Sequence, residues 1–196
     1  MAWGKNGTPD TLTSASAEAS ITDLTANVFN EFMCHSYSAT SAGTLWKRQF
    51  NSDTSSVYAN RYSANGGGDG TATSQANLNM GNNTNYDHFQ LIYQSAIVGK
   101  EKLGIEFIVE AGVAGAGNAP NRREYVSKYV PSPDATITGI QMGSSGTAGI
   151  SSNLSALGSD MTPAAGISDV QTNSIFIVPS TGKRYWFNGT TWVLET

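Results

Sequence analysis

Residues Leu103–Glu110 read Leu-Gly-Ile-Glu-Phe-Ile-Val-Glu, and residues His88–Val98 read His-Phe-Gln-Leu-Ile-Tyr-Gln-Ser-Ala-Ile-Val. Both stretches are rich in β-branched and aromatic residues, and apolar side chains recur in them with a period of two. Because successive side chains of a β-strand point to opposite faces, this period predicts strands rather than helices. The second stretch is long enough to cross a whole sheet, so these two stretches favour a β fold.

Similar runs recur about every 10 to 15 residues, which is close to the spacing typical of β-sandwiches and barrels. Glycine-rich and asparagine-rich loops separate them at residues 63–70, 81–85, 111–119 and 143–152, and residues 154–157 are compatible with a helical turn. We therefore predict an all-β protein, an antiparallel jelly-roll-like β-sandwich over residues 1–160. A linker over residues 161–172 and a small β-meander over residues 173–196 follow it. The further predicted strands are residues 11–13, 20–22, 28–37, 44–50, 57–62, 124–130, 136–142, 174–178, 183–187 and 190–194.

The composition agrees with a turn-rich β protein. Gly, Ser, Thr and Asn make up about two-fifths of the 196 residues, and only 13 % of the chain is charged, against a usual ~25 %. Aromatic residues still reach 10 %, which excludes a disordered tail. No apolar run approaches ~18 residues, so we expect no membrane insertion.

The net charge bears on nucleic-acid binding, and the start of the sequence bears on secretion. Lys and Arg number 11 against 15 Asp and Glu, a net charge of −4, so the basic footprint of nucleic-acid binding is missing. The pairs Arg122-Arg123 and Lys183-Arg184 are expected to be solvated positions. The sequence opens Met-Ala-Trp-Gly-Lys without an apolar signal core, so we expect synthesis in the cytoplasm with no signal peptide.

The residues that nucleophilic or metal chemistry needs are few. The chain has one cysteine, Cys34, and two histidines, His35 and His88, all inside predicted strands. We expect Cys34 to be a buried small hydrophobe, with His35 on the opposite face, and each histidine to be packed or on the surface. Asp53, Asp69 and Asp87 near strand ends could bind Ca²⁺, but the favoured interpretation is that Asp69 caps a turn with its carboxylate. We therefore expect no catalytic residue, cofactor site or metal site.

Glu106 and Glu110 are the strongest candidates for an enzyme. Their spacing of four places both on one face of a strand, and paired carboxylates ~5–9 Å apart could hydrolyse glycosides. The alternative is that they form the solvated face of a half-buried strand, because Ile105, Phe107 and Val109 occupy the other face. We favour this second interpretation, and the catalytic one requires both carboxylates in one cleft.

The clearest local prediction is a hairpin near the carboxy end. Asn188-Gly189 is a strong signal for a two-residue type I′ turn, which needs positive φ at both central residues. That turn would pair Phe187 with Thr190, and Tyr185 with Trp192. So short a meander is marginal alone, and we expect it to dock on the main body, on a symmetry mate or on a partner.

Residues 181–192 resemble a hairpin with the pattern Thr-Gly-x-x-Tyr-x-x-Asn-Gly-Thr-x-Trp that is widespread in tailed-phage appendage proteins. Residues 61–67, 117–124 and 152–160, in this order, resemble small proteins of marine tailed phages. The resemblance implies a virion structural protein rather than an enzyme, located in the virion after synthesis in the host cytoplasm. The expected role is that of a surface-exposed fibre, spike or tail-tip component. Such a component is a homo-oligomer, often a trimer, and contacts other virion proteins. It is expected to bind a receptor or a host-surface glycan. A capsid decoration protein that bridges coat subunits is the alternative, and a glycan-degrading enzyme is a further one.

Overall fold

A computed structural model describes residues 3–38, 45–79, 86–113, 115–131, 135–159, 173–178 and 183–195. The described residues form an all-β protein without helix, and every strand pairing is antiparallel, as predicted. The strands form three open sheets. Their bounds are β1 Gly4–Lys5, β2 Asp10–Thr11, β3 Ser16–Ile21, β4 Phe29–Ser36, β5 Lys47–Phe50, β6 Tyr58–Ala64, β7 Gly70–Gln75, β8 Leu78–Asn79, β9 His88–Ser95, β10 Lys102–Glu110, β11 Asn121–Tyr129, β12 Ile140–Ala148, β13 Asn153–Ser159, β14 Ile175–Val178, β15 Lys183–Phe187 and β16 Trp192–Leu194.

The large sheet has nine strands in the order β1-β13-β4-β9-β10-β11-β6-β7, and β2 also pairs with β13. Its centre is the run β9, β10 and β11, in which Ile105 lies between Tyr93 of β9 and Val126 of β11. Strand β13 joins the start of the chain to the centre, because it pairs with β1 and β2 on one side and with β4 on the other.

The small sheet, in the order β3-β12-β5-β8, packs against one face of the large sheet. Phe50 of β5 contacts Phe32 of β4 and Tyr129 of β11, with ring centroids 5.9 and 5.5 Å apart, and Tyr129 stacks on Tyr58 at 4.8 Å. The Tyr58 hydroxyl accepts a hydrogen bond from the Phe50 backbone N–H at 2.9 Å. Two layers around this aromatic core are consistent with the predicted β-sandwich, and its jelly-roll type stays a prediction.

Two local predictions were wrong in the segment from residue 143 to residue 159. The predicted loop 143–152 is strand up to Ala148, because β12 continues to pair with β3 through an irregular register between Gly143 and Ala148, while its pairing with β5 ends at Gly143. The proposed helical turn at 154–157 is strand, since β13 pairs with β4 along its whole length. The predicted loop 81–85 and linker 161–172 lie outside the described residues.

The three-stranded C-terminal meander (β14–β16) is present, but the predicted register was wrong. Phe187 pairs with Trp192 rather than with Thr190, so residues 188–191 form a longer turn. The Asn188 side-chain oxygen accepts backbone N–H groups of Thr190 and Thr191 at 2.9 and 2.8 Å. Gly189 has a φ of +97°, whereas Asn188 is not in the positive region that a type I′ turn requires.

Candidate functional site

Strand β10 separates two very different surfaces of the large sheet. Glu106 and Glu110 lie on the face that meets the small sheet, and both are buried. The predicted solvated face was therefore wrong, because Ile105, Phe107 and Val109 point outward and stay about half exposed. On the inner side, Arg48 and Arg123 donate hydrogen bonds to the two carboxylates.

The Glu106 carboxylate is held in a buried polar triad. Its Oε1 atom accepts a short hydrogen bond from Arg48 Nη2 and one of 2.8 Å from Ser127 Oγ. Arg48 Nη2 also lies 3.1 Å from Ser127 Oγ, and the side chains of Arg48 and Glu106 are fully buried. Burial raises the pKa of Glu106, and the charge of Arg48 and the Ser127 hydroxyl act against that rise. The triad ties the two sheets together through an ion pair.

Glu110 has a separate partner. Its Oε1 atom accepts a hydrogen bond of 2.9 Å from Arg123 Nε on the neighbouring strand β11. Four residues along a strand place the Cα atoms of Glu106 and Glu110 about 13 Å apart, with buried Ile108 between them. Glycoside hydrolysis needs carboxyl groups that flank one substrate bond at about 5–9.5 Å. The two carboxylates do not meet in an open cleft, so the arrangement that the enzyme alternative requires is not formed by this pair.

Cys34 and the histidines are placed as predicted. Cys34 is fully buried, and desolvation raises the pKa of its thiol to about 12, so the reactive thiolate is not formed at neutral pH. His35, on the opposite face of β4, is exposed and contacts Tyr37 and Phe89 with its ring. His88 is buried, and desolvation lowers its pKa to about 4, so its ring is neutral at pH 7.

The three aspartates lie in separate places. Asp53 accepts hydrogen bonds from the Ser55 N–H and the Tyr129 hydroxyl. Asp69 forms an exposed ion pair with Arg61, and Asp87 accepts the N–H of Ser38. Across the described residues, no cluster of three or more His, Cys, Asp or Glu side chains could hold a metal ion.

The feature that sequence reasoning placed wrongly is the outward surface of the large sheet. Strands β9 and β10 present apolar side chains that are each between 41 and 57 % exposed, and β11 adds Val126 between the exposed charged residues Glu124 and Lys128. Cross-strand pairing brings them together, since Phe89 lies opposite Val109 and Tyr93 opposite Ile105. We call this surface the outer face, and its residues are Phe89, Tyr93, Leu103, Ile105, Phe107, Val109 and Val126.

A groove of about 660 Å³ crosses one end of the outer face. Leu103, Ile105 and Val126 line its middle, and Tyr93, Phe29 and Trp3 line one end. Asn60, Gln94, Ser95 and Lys128 also line the groove, but apolar atoms make up most of its exposed wall, so it suits an apolar occupant better than a hydroxyl-rich one. The groove runs across the strands, between rows of side chains that stand two residues apart.

No protein-family model matches this sequence, and no curated protein or solved structure shows significant similarity to it. In the part of the chain that the structure describes, no helix is long and apolar enough to cross a membrane.

Proposed function

We propose that this chain is a non-enzymatic structural subunit of a virion, a surface-exposed fibre, spike or tail-tip component that works as a homo-oligomer. The observation that carries the proposal is the outer face. Seven half-exposed large side chains present on the order of 600 Å² of apolar surface, at the upper end of the ~300–600 Å² that the largest apolar patch of a typical monomer covers. A standard interface covers about 800 Å² on each partner, so the outer face could form the apolar part of an assembly surface.

The virion assignment rests on the resemblance of residues 181–192 to phage appendage hairpins. A trimer is the proposed oligomer, since appendages of this kind are often trimeric. Receptor or glycan binding belongs to the same proposal, and its polar contacts would come from the neutral loops that join the strands.

Oligomeric state is the first test of this function. We expect the purified chain to be oligomeric at micromolar concentration in size-exclusion chromatography with light scattering, and Ile105→Lys to convert it to a folded monomer. The matched control is Val113→Lys, because Val113 is 63 % exposed in the loop after β10 and lies outside the outer face. A wild-type chain that stays monomeric at this concentration would contradict the proposal.

The place of the protein in the particle separates the proposed role from its alternative. A capsid decoration protein could use the same apolar face to bridge coat subunits. Mass spectrometry of separated heads and tails should find the chain in the tail fraction if it is an appendage. Stoichiometric recovery with heads would favour decoration, and absence from both fractions would remove the virion role.

A further inference from the structure

Three Asn-Gly pairs stand in the sequence, at residues 6–7, 65–66 and 188–189. In such a pair the backbone nitrogen of the glycine can attack the Cγ atom of the asparagine, which closes a five-membered succinimide ring and expels ammonia. Glycine favours this attack because it has no side chain to hinder its nitrogen and because its backbone rotates freely. The local sequence ranks the three pairs equally, so any difference in their reactivity comes from the fold.

The first pair is locked in the protein interior. Asn6 is buried, and its Nδ2 atom donates hydrogen bonds to the Thr25 carbonyl at 3.2 Å and to Asn30 Oδ1 at 2.9 Å. Its Oδ1 atom accepts the Thr25 N–H at 2.8 Å. The nitrogen that must leave as ammonia is therefore bonded twice in a place that water does not reach.

The second pair is exposed, but its side chain is bonded at both ends. Asn65 Nδ2 donates to Asn121 Oδ1 at 3.2 Å, and Asn65 Oδ1 accepts the Arg122 N–H at 2.9 Å. The Asn65 N–H also donates to the Arg122 carbonyl at 3.0 Å. These bonds tie the loop to the start of β11 and hold the leaving nitrogen, so cyclisation there must first break a hydrogen bond.

The third pair has the opposite arrangement. Asn188 Oδ1 accepts the N–H groups of Thr190 and Thr191 at 2.9 and 2.8 Å. Within the described chain, neither Asn188 Nδ2 nor the Gly189 N–H has a hydrogen-bond partner, and both residues are exposed. Two donors on the Cγ carbonyl oxygen stabilise the negative charge which that oxygen takes when a nucleophile adds, as an oxyanion hole does. The attacking nitrogen and the leaving nitrogen are both free, and the carbon between them is activated.

We propose that Asn188 is a site of spontaneous modification in the native protein, where it cyclises with Gly189 faster than the other two pairs react. The Gly189 nitrogen bonds to Cγ of Asn188, and the bond from Cγ to Nδ2 breaks. The proton of the Gly189 nitrogen passes through solvent to the departing nitrogen, which leaves as ammonia. A water molecule then opens the ring at either carbonyl, and the product is aspartate or isoaspartate.

The isoaspartate product opens the C-terminal meander. In isoaspartate the main chain runs through the former side chain, so it gains one methylene group, and the carbonyl that capped Thr190 and Thr191 becomes part of the backbone. The register of Phe187 with Trp192, and the contact of their rings at 5.3 Å, depend on that capped turn. The modification therefore separates β15 from β16 at a rate that the fold sets.

Rates at the three pairs are measured in the same full-length chain. The protein is incubated at pH 8 and digested, and mass spectrometry follows the gain of one mass unit in each peptide. One oxyanion-hole donor is worth about 10²–10³-fold in a water-excluded active site, so in this exposed turn we expect about tenfold faster conversion at Asn188 than at Asn65. Asn6 should stay unconverted. In concentrated guanidinium chloride the three rates should become equal, which is the control for the contribution of the fold.

Two variants test the cause and the consequence. Asn121→Ala removes the acceptor of Asn65 Nδ2 and should speed conversion at Asn65 several-fold while leaving Asn188 unchanged. Asn188→Asp keeps an acceptor oxygen for the capped turn, so it should keep the native tryptophan fluorescence that the aged wild-type chain loses.

Three results would overturn the proposal. The first is equal rates at Asn65 and Asn188 in the folded chain. The second is a slower reaction at Asn188 in the folded chain than in guanidinium chloride, because the two N–H donors would then protect the side chain rather than activate it. The third is an unchanged rate at Asn65 in Asn121→Ala, which would show that these hydrogen bonds do not set the order.

Discussion

Removing the basic partner of Glu106 should be among the most damaging single substitutions in this protein. In Arg48→Met the carboxylate of Glu106 would stay fully buried and keep only the hydroxyl of Ser127. Breaking a buried ion pair in this way costs about 3–5 kcal/mol, a large share of the ~5–15 kcal/mol that stabilises a typical domain.

Urea unfolding followed by circular dichroism at fixed protein concentration measures that cost. With a slope of about 2 kcal/mol per molar urea, a loss of about 4 kcal/mol lowers the midpoint by about 2 M. The control is Arg61→Met, which breaks the exposed pair with Asp69 and should cost no more than about 1 kcal/mol.

The double variant Arg48→Met/Glu106→Met removes both charges of the buried ion pair. Because it leaves no uncompensated buried charge, it should recover most of the stability that Arg48→Met loses. The reasoning is refuted if Arg48→Met shifts the midpoint no more than Arg61→Met does, or if the second substitution adds to the loss.

Three further outcomes follow from buried groups. Burial lowers the pKa of His88 from 6.5 to about 4 in the folded protein, so between these pH values the unfolded chain binds one more proton than the folded chain. The free energy of unfolding should therefore fall by on the order of 3 kcal/mol as the pH drops from 6.5 to 4. The fall should be smaller in His88→Gln and unchanged in His35→Gln. Cys34, with its pKa near 12, should react with a thiol reagent at pH 8 only after denaturant is added, and rapid labelling of the native protein would contradict its burial. Gly104→Ala should lower the free energy of unfolding by about 1–3 kcal/mol, because a Cβ there would lie 2.7 Å from both Gln94 Oε1 and Ser127 Oγ; Gly117→Ala, which meets nothing within 4 Å, should be near neutral.

Strand β10 shows what the sequence pattern decides and what it leaves open. The alternation of Ile105 and Phe107 with Glu106 correctly predicts a strand with an apolar face and a charged face. Which of the two faces is buried depends on the element that packs against the strand. Arg48, the partner of Glu106, lies 58 residues away in β5. One signal was present, since Arg48 stands two residues before Phe50 and therefore on the same buried face of its strand.

The other wrong predictions have the same physical origin. Glycine and serine after residue 143 favour a loop locally, but the pairing of Ala148 with Ser16 of β3 carries the strand through them. The Asn188-Gly189 pair correctly marks a turn, whereas the side chain of Asn188, by capping two backbone N–H groups, decides the loop length and hence the register. The turn at Asn188-Gly189 was readable from sequence, and the pairings between distant strands were not.

The position of β13 also sets an order of events during synthesis. The central hairpins β9–β10 and β10–β11 join neighbouring segments and can form while the chain is still growing. Strands β1 and β2 must wait for β13, which is made some 140 residues later and, among the described strands, is the one that pairs with them and with β4. Until then the nascent chain exposes the unpaired backbone edge of β4, the kind of edge on which strands from other chains can add. Closure of this edge is non-local and therefore slow, which lengthens the time during which the nascent chain can aggregate through it.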